Sequence, residues 1–311
     1  MCGIAGIFDI RGNRPIDQAL LARMNEMQHH RGPDETGLHA EAGVGLAHKR
    51  LSIIDLSSGH QPLFNEDGSV AVVFNGEIYN FVELMPELQA LGHVFRTHCD
   101  TEVIVHAWEQ WGERCVERFR GMFAFVLWDR NRQTLFMARD RFGEKPLFYA
   151  LLDDGQLIFG SELKVLTAHP QLKRDMDPFA VEEYFAYGYV PEPRTIYTQA
   201  LKLPPGHTLT VRRGEALPPP KQYWDMPFES VGILSLEDAQ QELIDRLREA
   251  VKIRLMSEVP LGAFLSGGVD SSAVVAMMAG LSGEPVNTCS IAFNDKAYNE
   301  SEFAAMVAQR Y

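Results

Sequence analysis

The chain has 311 residues, 46% of them hydrophobic and 23% charged, with a formal net charge of −13. That composition suits two ordinary domains with separate cores and excludes a disordered chain. The acidic balance argues against a general nucleic-acid binder, which would carry a basic face, and no apolar run approaches the roughly 20 residues of a membrane-spanning helix.

Residues 3–8 read as a short apolar strand, and 16–28 as a helix carrying Leu20, Leu21, Met24 and Met27 on one face. Residues 44–54 suggest an interrupted strand. Residues 69–74 suggest a buried strand ending at Asn75-Gly76, a turn signal. Two helical stretches follow, 79–91 and 101–111. Residues 122–129 and 134–139 are expected as strands joined by the polar turn 130–133, and 147–150 and 157–160 continue the pattern. The sum is an α+β domain. From 202 to 225 the chain turns proline-rich, with Pro204-Pro205-Gly206 and Pro218-Pro219-Pro220. This places a linker at 212–225 between a first domain, 2–211, and a second, 226–311. In the second domain, 235–256 is an amphipathic helix capped by Ser235. Residues 259–265 suggest a buried parallel strand, 271–281 a helix and 286–293 another strand, a βαβ unit.

There are four cysteines, Cys2, Cys99, Cys115 and Cys289. None forms a C-x-x-C pair, so zinc-ribbon and thioredoxin-like readings fail. All but Cys2 read as buried residues without a redox role. No basic-then-apolar leader is visible, and a reducing, cytoplasmic setting is expected. Cys2 is different because its small side chain permits removal of Met1. It would then carry a thiol beside a free amine of pKa roughly 7.7–8.0, so one residue supplies both nucleophile and base. Asn75 and Gly76 can together hold an oxyanion, through a side-chain amide and a backbone N–H. Arg50 can grip an α-carboxylate with two prongs, and Asp100 can pair with an α-ammonium. Each has an ordinary alternative: Asn-Gly is usually a turn, and Arg and Asp are usually solvated. His29, His30 and His48 read as structural.

Seven blocks occur in order: Cys2-Gly3-Ile4-Ala5-Gly6, His30-Arg31-Gly32-Pro33-Asp34, Arg50-Leu51-Ser52-Ile53, Asn75-Gly76-Glu77-Ile78-Tyr79-Asn80, Asp100-Thr101-Glu102, Gly121-Met122-Phe123-Ala124-Phe125 and Arg139-Asp140-Arg141-Phe142-Gly143. Together they resemble the glutaminase domain of glutamine-dependent asparagine synthetases, members of the N-terminal-nucleophile amidotransferases. The resemblance implies a four-layer αββα sandwich. It implies Cys2 as nucleophile, its amine as base, and Asn75 and Gly76 as oxyanion hole. It further implies that Arg50 meets the glutamine carboxylate, that backbone near Ile53 and Ile54 lines the site, and that Glu77 and Asp100 meet the amine.

Leu265-Ser266-Gly267-Gly268-Val269-Asp270-Ser271-Ser272 lies between the expected strand and helix. Glycines let backbone approach an anion, and the helix start and two serines add donors. No lysine follows the glycines, so this is not a P-loop, and the dinucleotide pattern is absent too. The string resembles the pyrophosphate loop of ATP pyrophosphatases, an adenine nucleotide alpha hydrolase-like α/β fold. It implies that Ser266, Gly267, Gly268, Ser271 and Ser272 hold pyrophosphate, that Asp270 is a ligand of Mg2+, and that Leu265 and Ile291 contact adenosine. Tyr298-Asn299-Glu300-Ser301 resembles a later block of that family, with Asn299 where Asp is common, and receives no role.

The two resemblances together imply ammonia made at one site and used at another to amidate an ATP-activated carboxylate. The familiar acceptor is aspartate, giving asparagine. Glutamine, ATP and aspartate are the expected partners, with homodimers common in the family and neither nucleic acid nor membrane expected. Family members continue well past residue 311, so a truncated member with a partial second domain is expected, active as a glutaminase and making little asparagine alone. The alternatives are an amidotransferase for another carboxylate, such as a cell-envelope or exopolysaccharide precursor, and a non-catalytic sensor on the same fold. A β-lactam-forming relative would be expected to lack the cysteine.

Overall fold

The computed structural model describes residues 1–228, 232 and 234–311 and divides into two compact units, Met1–Met226 and Pro227–Tyr311. The first contains, in chain order, β1 (Gly3–Asp9), α1 (Gln18–Glu26), β2 (Glu35–Glu41), β3 (Val44–Arg50), β4 (Leu63–Phe64), β5 (Val70–Ile78), α2 (Phe81–Ala90), α3 (Asp100–Trp111), α4 (Cys115–Arg118), β6 (Gly121–Asp129), β7 (Thr134–Arg139), β8 (Phe148–Leu151), β9 (Gln156–Gly160), α5 (Leu163–Thr167), α6 (Pro178–Tyr187), β10 (Ala200–Lys202), β11 (His207–Arg212) and β12 (Lys221–Gln222). The second contains α7 (Leu236–Arg254), β13 (Ala263–Phe264), α8 (Val269–Ser282), β14 (Thr288–Cys289) and α9 (Ser301–Arg310).

Two six-stranded antiparallel sheets form the first unit, ordered β10-β8-β9-β1-β3-β2 and β12-β11-β7-β6-β5-β4. The two-residue period of a strand explains how they stack. On β1, Ile4 and Phe8 join Val73, Trp128, Phe159 and Leu209 in the core between the sheets. Ala5 and Ile7 point the other way, under Leu21 and Met24 of α1 and Val165 and Leu166 of α5. Each fully buried phenylalanine or leucine here contributes about 1.5–3 kcal/mol of hydrophobic stabilisation. Across the second sheet, α3 seats Trp108 against Phe136, with ring centroids 4.8 Å apart, and donates its indole N–H to Asp129 at 2.8 Å. The layers are therefore helix, sheet, sheet, helix. Gly6 is required at its position: a Cβ there would lie 2.1 Å from the Phe159 ring and 2.6 Å from the Gly45 carbonyl oxygen.

Four sequence expectations are corrected. Asn75-Gly76 is not a turn, because β5 runs through it and pairs with β6, Asn75 opposite Ala124 and Gly76 opposite Phe123. Residues 51–54 leave the strand at Arg50 and form a loop over the pocket described below. The strands expected at 259–265 and 286–293 shrink to the two-residue β13 and β14; they pair in parallel, but Phe264 is 82% exposed, so β13 is not a buried strand. Cys289, expected to be buried, is exposed on β14 because that short strand packs under no other layer among the described residues, whereas Cys99 and Cys115 are buried as expected. The segment 212–225 runs along the first unit. Lys221 and Gln222 pair with β11, and the Tyr223 hydroxyl donates to the Arg139 carbonyl at 2.9 Å.

In the second unit the Ser235 hydroxyl caps α7 by accepting from the Asp238 N–H at 3.1 Å. Leu265, Val275 and Ala304 form its small core. Among the described residues no helix is long and apolar enough to cross a membrane.

Candidate active site

Strand parity sends Cys2 and Asn75 to the same place. Cys2 precedes Ile4 by two residues and Asn75 follows Val73 by two, and Ile4 and Val73 both face the gap between the sheets. The mouth of that gap is a pocket lined by Cys2, Arg50, Ile53, Ile54, Gly76, Glu77 and Asp100, all expected from the sequence. Asn75 lies behind this surface, 1% exposed. Leu51, Gly59, Gln61, Phe74, Cys99 and Thr101 also line it.

The Cys2 thiol is bracketed by one residue: Leu51 donates its N–H to Sγ at 3.4 Å, and its carbonyl accepts from Sγ at 3.6 Å. The Cys2 carbonyl accepts from Arg31 Nε at 2.9 Å. Burial raises the Cys2 pKa despite the Leu51 N–H. Met1 is present, so the amine belongs to Met1; burial lowers its pKa, with Arg31 and Lys145 acting in the same direction. Neighbouring Lys145 is lowered too, by burial.

Asn75 carries an anomaly: both its amide oxygen and its amide nitrogen are buried and make no hydrogen bond. Burying an amide without partners costs about 1–3 kcal/mol. Gly76 is there because a Cβ would lie 2.2 Å from the Met122 carbonyl oxygen and 2.7 Å from the Phe123 Cα.

Glu77 and Asp100 are both raised above the ordinary carboxylate range, first by burial and for Glu77 also by Asp100. Asp100 accepts the Ile78 N–H at 2.8 Å. Arg50 pins the adjacent loop, donating from Nη2 to the carbonyls of Asp55 at 2.6 Å and Ile54 at 3.3 Å, and from Nη1 to that of Leu56 at 3.4 Å. Gln61 spans the floor, accepting the Phe74 N–H at 2.7 Å and donating to Thr101 Oγ1 at 3.4 Å. Gln61 and Gly59 fall in a stretch of small and polar residues that carries no motif of its own, so pattern reading passed over them. Cys99, read from sequence as inert, touches the site through Asp100 and Thr101, at 3.4 and 3.3 Å.

His48 is structural, with Nε2 3.0 Å from the Phe74 carbonyl and its pKa pushed down to about 3 by burial. His30 pairs with Glu162 at 2.9 Å, outside the pocket lining.

The second unit has its own pocket of about 390 Å³, lined by Leu265, Ser266, Ser271 and Ile291 from the sequence-predicted set, with Tyr298, Glu300 and Ser301 beside them. Gly267, Gly268, Asp270 and Ser272 do not line it. Ser266 Oγ and Ser271 Oγ are 3.0 Å apart, and the Gly268 N–H donates to Ser266 Oγ at 3.3 Å. Gly267 has φ +86°, and a Cβ there would lie 2.5 Å from Phe303 Cβ.

Two antiparallel sheets between helices, with a cysteine at the head of a central strand, define the fold of the N-terminal-nucleophile glutamine amidotransferases. The chain belongs to the glutamine amidotransferase domain family, whose model matches residues 1–224. Residues 242–311 match the asparagine synthase model. The chain is 37% identical over 313 aligned residues to "Asparagine synthetase [glutamine-hydrolyzing] 1" of Bacillus subtilis, covering 99% of this chain and 48% of that one. It is 37% identical to "Putative asparagine synthetase [glutamine-hydrolyzing] 2" of Methanocaldococcus jannaschii, covering 100% of this chain and 63% of that one. The chain thus spans about half the length of curated relatives it matches. Among solved structures, "Structure of the allosteric regulatory enzyme of purine biosynthesis" aligns with a TM-score of 0.51 at 16% identity, covering 96% of this chain and 69% of that one, which is a likeness of fold.

Proposed function

We propose that the first unit hydrolyses glutamine at Cys2 and that the ammonia serves to amidate a carboxylate, aspartate in the first instance. The observation that carries this is the buried, unpartnered Asn75 amide, next in the chain to Gly76, which lines the pocket together with Cys2. Donors left unsatisfied in the resting site are available to a charge that develops only during reaction.

With Met1 removed, the Cys2 amine takes the thiol proton and Sγ attacks the glutamine side-chain carbonyl carbon. The Asn75 amide and Gly76 N–H hold the resulting oxyanion. Its collapse breaks the C–N bond, the amine returns the proton to the leaving nitrogen, and ammonia departs. Water then hydrolyses the thioester to glutamate and restores the thiol. Arg50 and the loop it pins meet the substrate carboxylate, while Glu77 and Asp100 meet its ammonium.

The loop of the second unit fits a polyphosphate by its donor set: paired hydroxyls of Ser266 and Ser271 at the start of α8, with glycines that bring backbone close. Ser266, Gly267, Gly268, Ser271 and Ser272 would hold the phosphates of ATP, Leu265 and Ile291 would flank adenosine, and exposed Asp270 would offer a carboxylate to Mg2+. ATP bound there supplies activation of the acceptor carboxylate, with AMP and diphosphate as products. The acceptor reading is supported by the names of the relatives that align along nearly the whole chain.

The test is glutamate release from glutamine by the purified chain, with the N-terminus defined by mass spectrometry, beside Cys2→Ala. Activity lost in the variant supports the reading; equal activity in both overturns it. Asparagine formation from aspartate, ATP and ammonia tests the second half separately.

A further inference from the structure

We infer that Glu66, His93 and His106 form a binding site for one divalent transition-metal ion of the zinc class, separate from both pockets. One ligand atom from each lies within 4.8 Å of the others, the one such grouping among the described residues. Tetrahedral ligation at about 2.0–2.2 Å per bond needs these atoms roughly 3.3–3.6 Å apart, so an inward shift of about an ångström completes the site.

The geometry has a direction. His106 Nδ1 faces Glu109 Oε2 at 3.1 Å and Glu66 Oε2 at 3.8 Å, and His93 Nδ1 faces the same Glu109 oxygen at 3.6 Å. Glu109 thus stands beside the group as a second carboxylate, held by the Asn65 amide at 2.6 Å. On the far side of the ring, His106 Nε2 points at Glu102 Oε1, 3.5 Å away. His106 is 0% exposed, and its Nε2 contact with Glu102 is an ion-pair distance that has not closed to a hydrogen bond. An ion on Nδ1 would fix the proton on Nε2 and draw the ring's N–H onto Glu102, the carboxylate–histidine–metal arrangement that orients metal-bound imidazoles. Glu102 is fixed in place for this, accepting the N–H groups of Arg96 at 2.8 Å and Thr97 at 2.7 Å. Imidazole and carboxylate without thiolate favour zinc-like ions over calcium or magnesium.

The donors come from three places: the β4–β5 loop, the segment before α3, and α3 itself. The ion would tie together the chain leading into Cys99 and Asp100, which line the glutamine pocket. Its role is that of a structural clamp. A proton on His106 is the competing way to neutralise the same carboxylates.

The experiment strips the full chain with a chelator and titrates it with cobalt(II), then zinc, following visible absorption and calorimetry. The expected result is one cobalt per chain, with tetrahedral d–d bands and no thiolate charge-transfer band, displaced by zinc, which raises the Tm. His93→Ala, on a partly exposed ring, and Glu66→Gln should keep the native circular dichroism and bind at least about tenfold more weakly. A thiolate band, binding unchanged in both variants, or no stoichiometric binding would each overturn the site, the last leaving protonated His106 as its occupant. None of these readouts depends on glutamine hydrolysis.

Discussion

Gly59 lies against the guanidinium of Arg50: a Cβ on Gly59 would lie 2.4 Å from Arg50 Nη2. The group that would yield is the end of a flexible side chain, so the cost to folding is small, but the displaced guanidinium is the one that pins the Ile54 and Asp55 carbonyls. Gly59→Ala should raise the KM for glutamine about tenfold or more, with Tm nearly unchanged. Steady-state kinetics beside a thermal melt test this; an unchanged KM removes Arg50 from substrate binding.

The unpartnered Asn75 amide separates catalysis from stability. Asn75→Ala removes a side chain with no hydrogen bonds to lose, so stability should change by under about 1 kcal/mol. The glutaminase kcat should fall about 10²–10³-fold with KM largely retained. A large loss of stability with intact kcat would make the residue structural.

One strand position later the balance reverses. At Gly76 a Cβ meets backbone, the Met122 carbonyl oxygen and Phe123 Cα, which cannot swing aside. Gly76→Ala should destabilise the first unit by about 1–3 kcal/mol, measured by denaturant unfolding. Stability equal to the parent would mean that β5 and β6 separate freely there.

Glu77 is raised by burial and by Asp100, so the folded chain holds its proton at pH values where the unfolded chain has released it. More protons bound in the folded state means that stability falls as pH climbs from the ordinary carboxylate value toward the raised one. Glu77→Gln should therefore gain stability relative to the parent between about pH 5 and about pH 8, with the two closest at the acid end. Glutamine's ammonium should restore the charge, so parent affinity should strengthen over the same interval. Melts across pH test the first statement and calorimetric titrations the second. A gap that is constant with pH would contradict the assignment.

Sequence pattern carried the strands with a clear period or a full apolar run, so β1, β6, β7 and the 130–133 turn lie where expected. It missed β2, whose sequence ETGLHAE has one large apolar residue, the exposed Leu38, because β2 is an edge strand. It misread Asn75-Gly76 because the local turn preference of that pair is overridden by ladder pairing with β6. The pocket was legible where residues form motifs: Cys2, Arg50, Gly76, Glu77 and Asp100 converge. It was opaque where a residue acts through contact alone, as Gly59 does on Arg50. In the second unit the apolar runs are real, but only Ala263, Phe264, Thr288 and Cys289 pair, because strand length depends on neighbours and not on apolarity.

Cys2 immediately precedes β1 and Gly76 lies on β5, in opposite sheets, and Ile4, Phe8, Val73, Trp128 and Phe159 fill the core between those sheets. The reach between the sulfur and the amides facing it is therefore a thickness, gauged by side-chain volume rather than by any bond. Protein interiors compress little and respond to single methylenes. A conservative trim such as Phe8→Leu, outside the pocket lining, would let the two walls settle closer and shift Cys2 and Gly76 relative to one another, with no pocket residue substituted. The tolerances of the chemistry are thus written into the interior, and the core of this unit is held to a tighter standard than folding alone would demand.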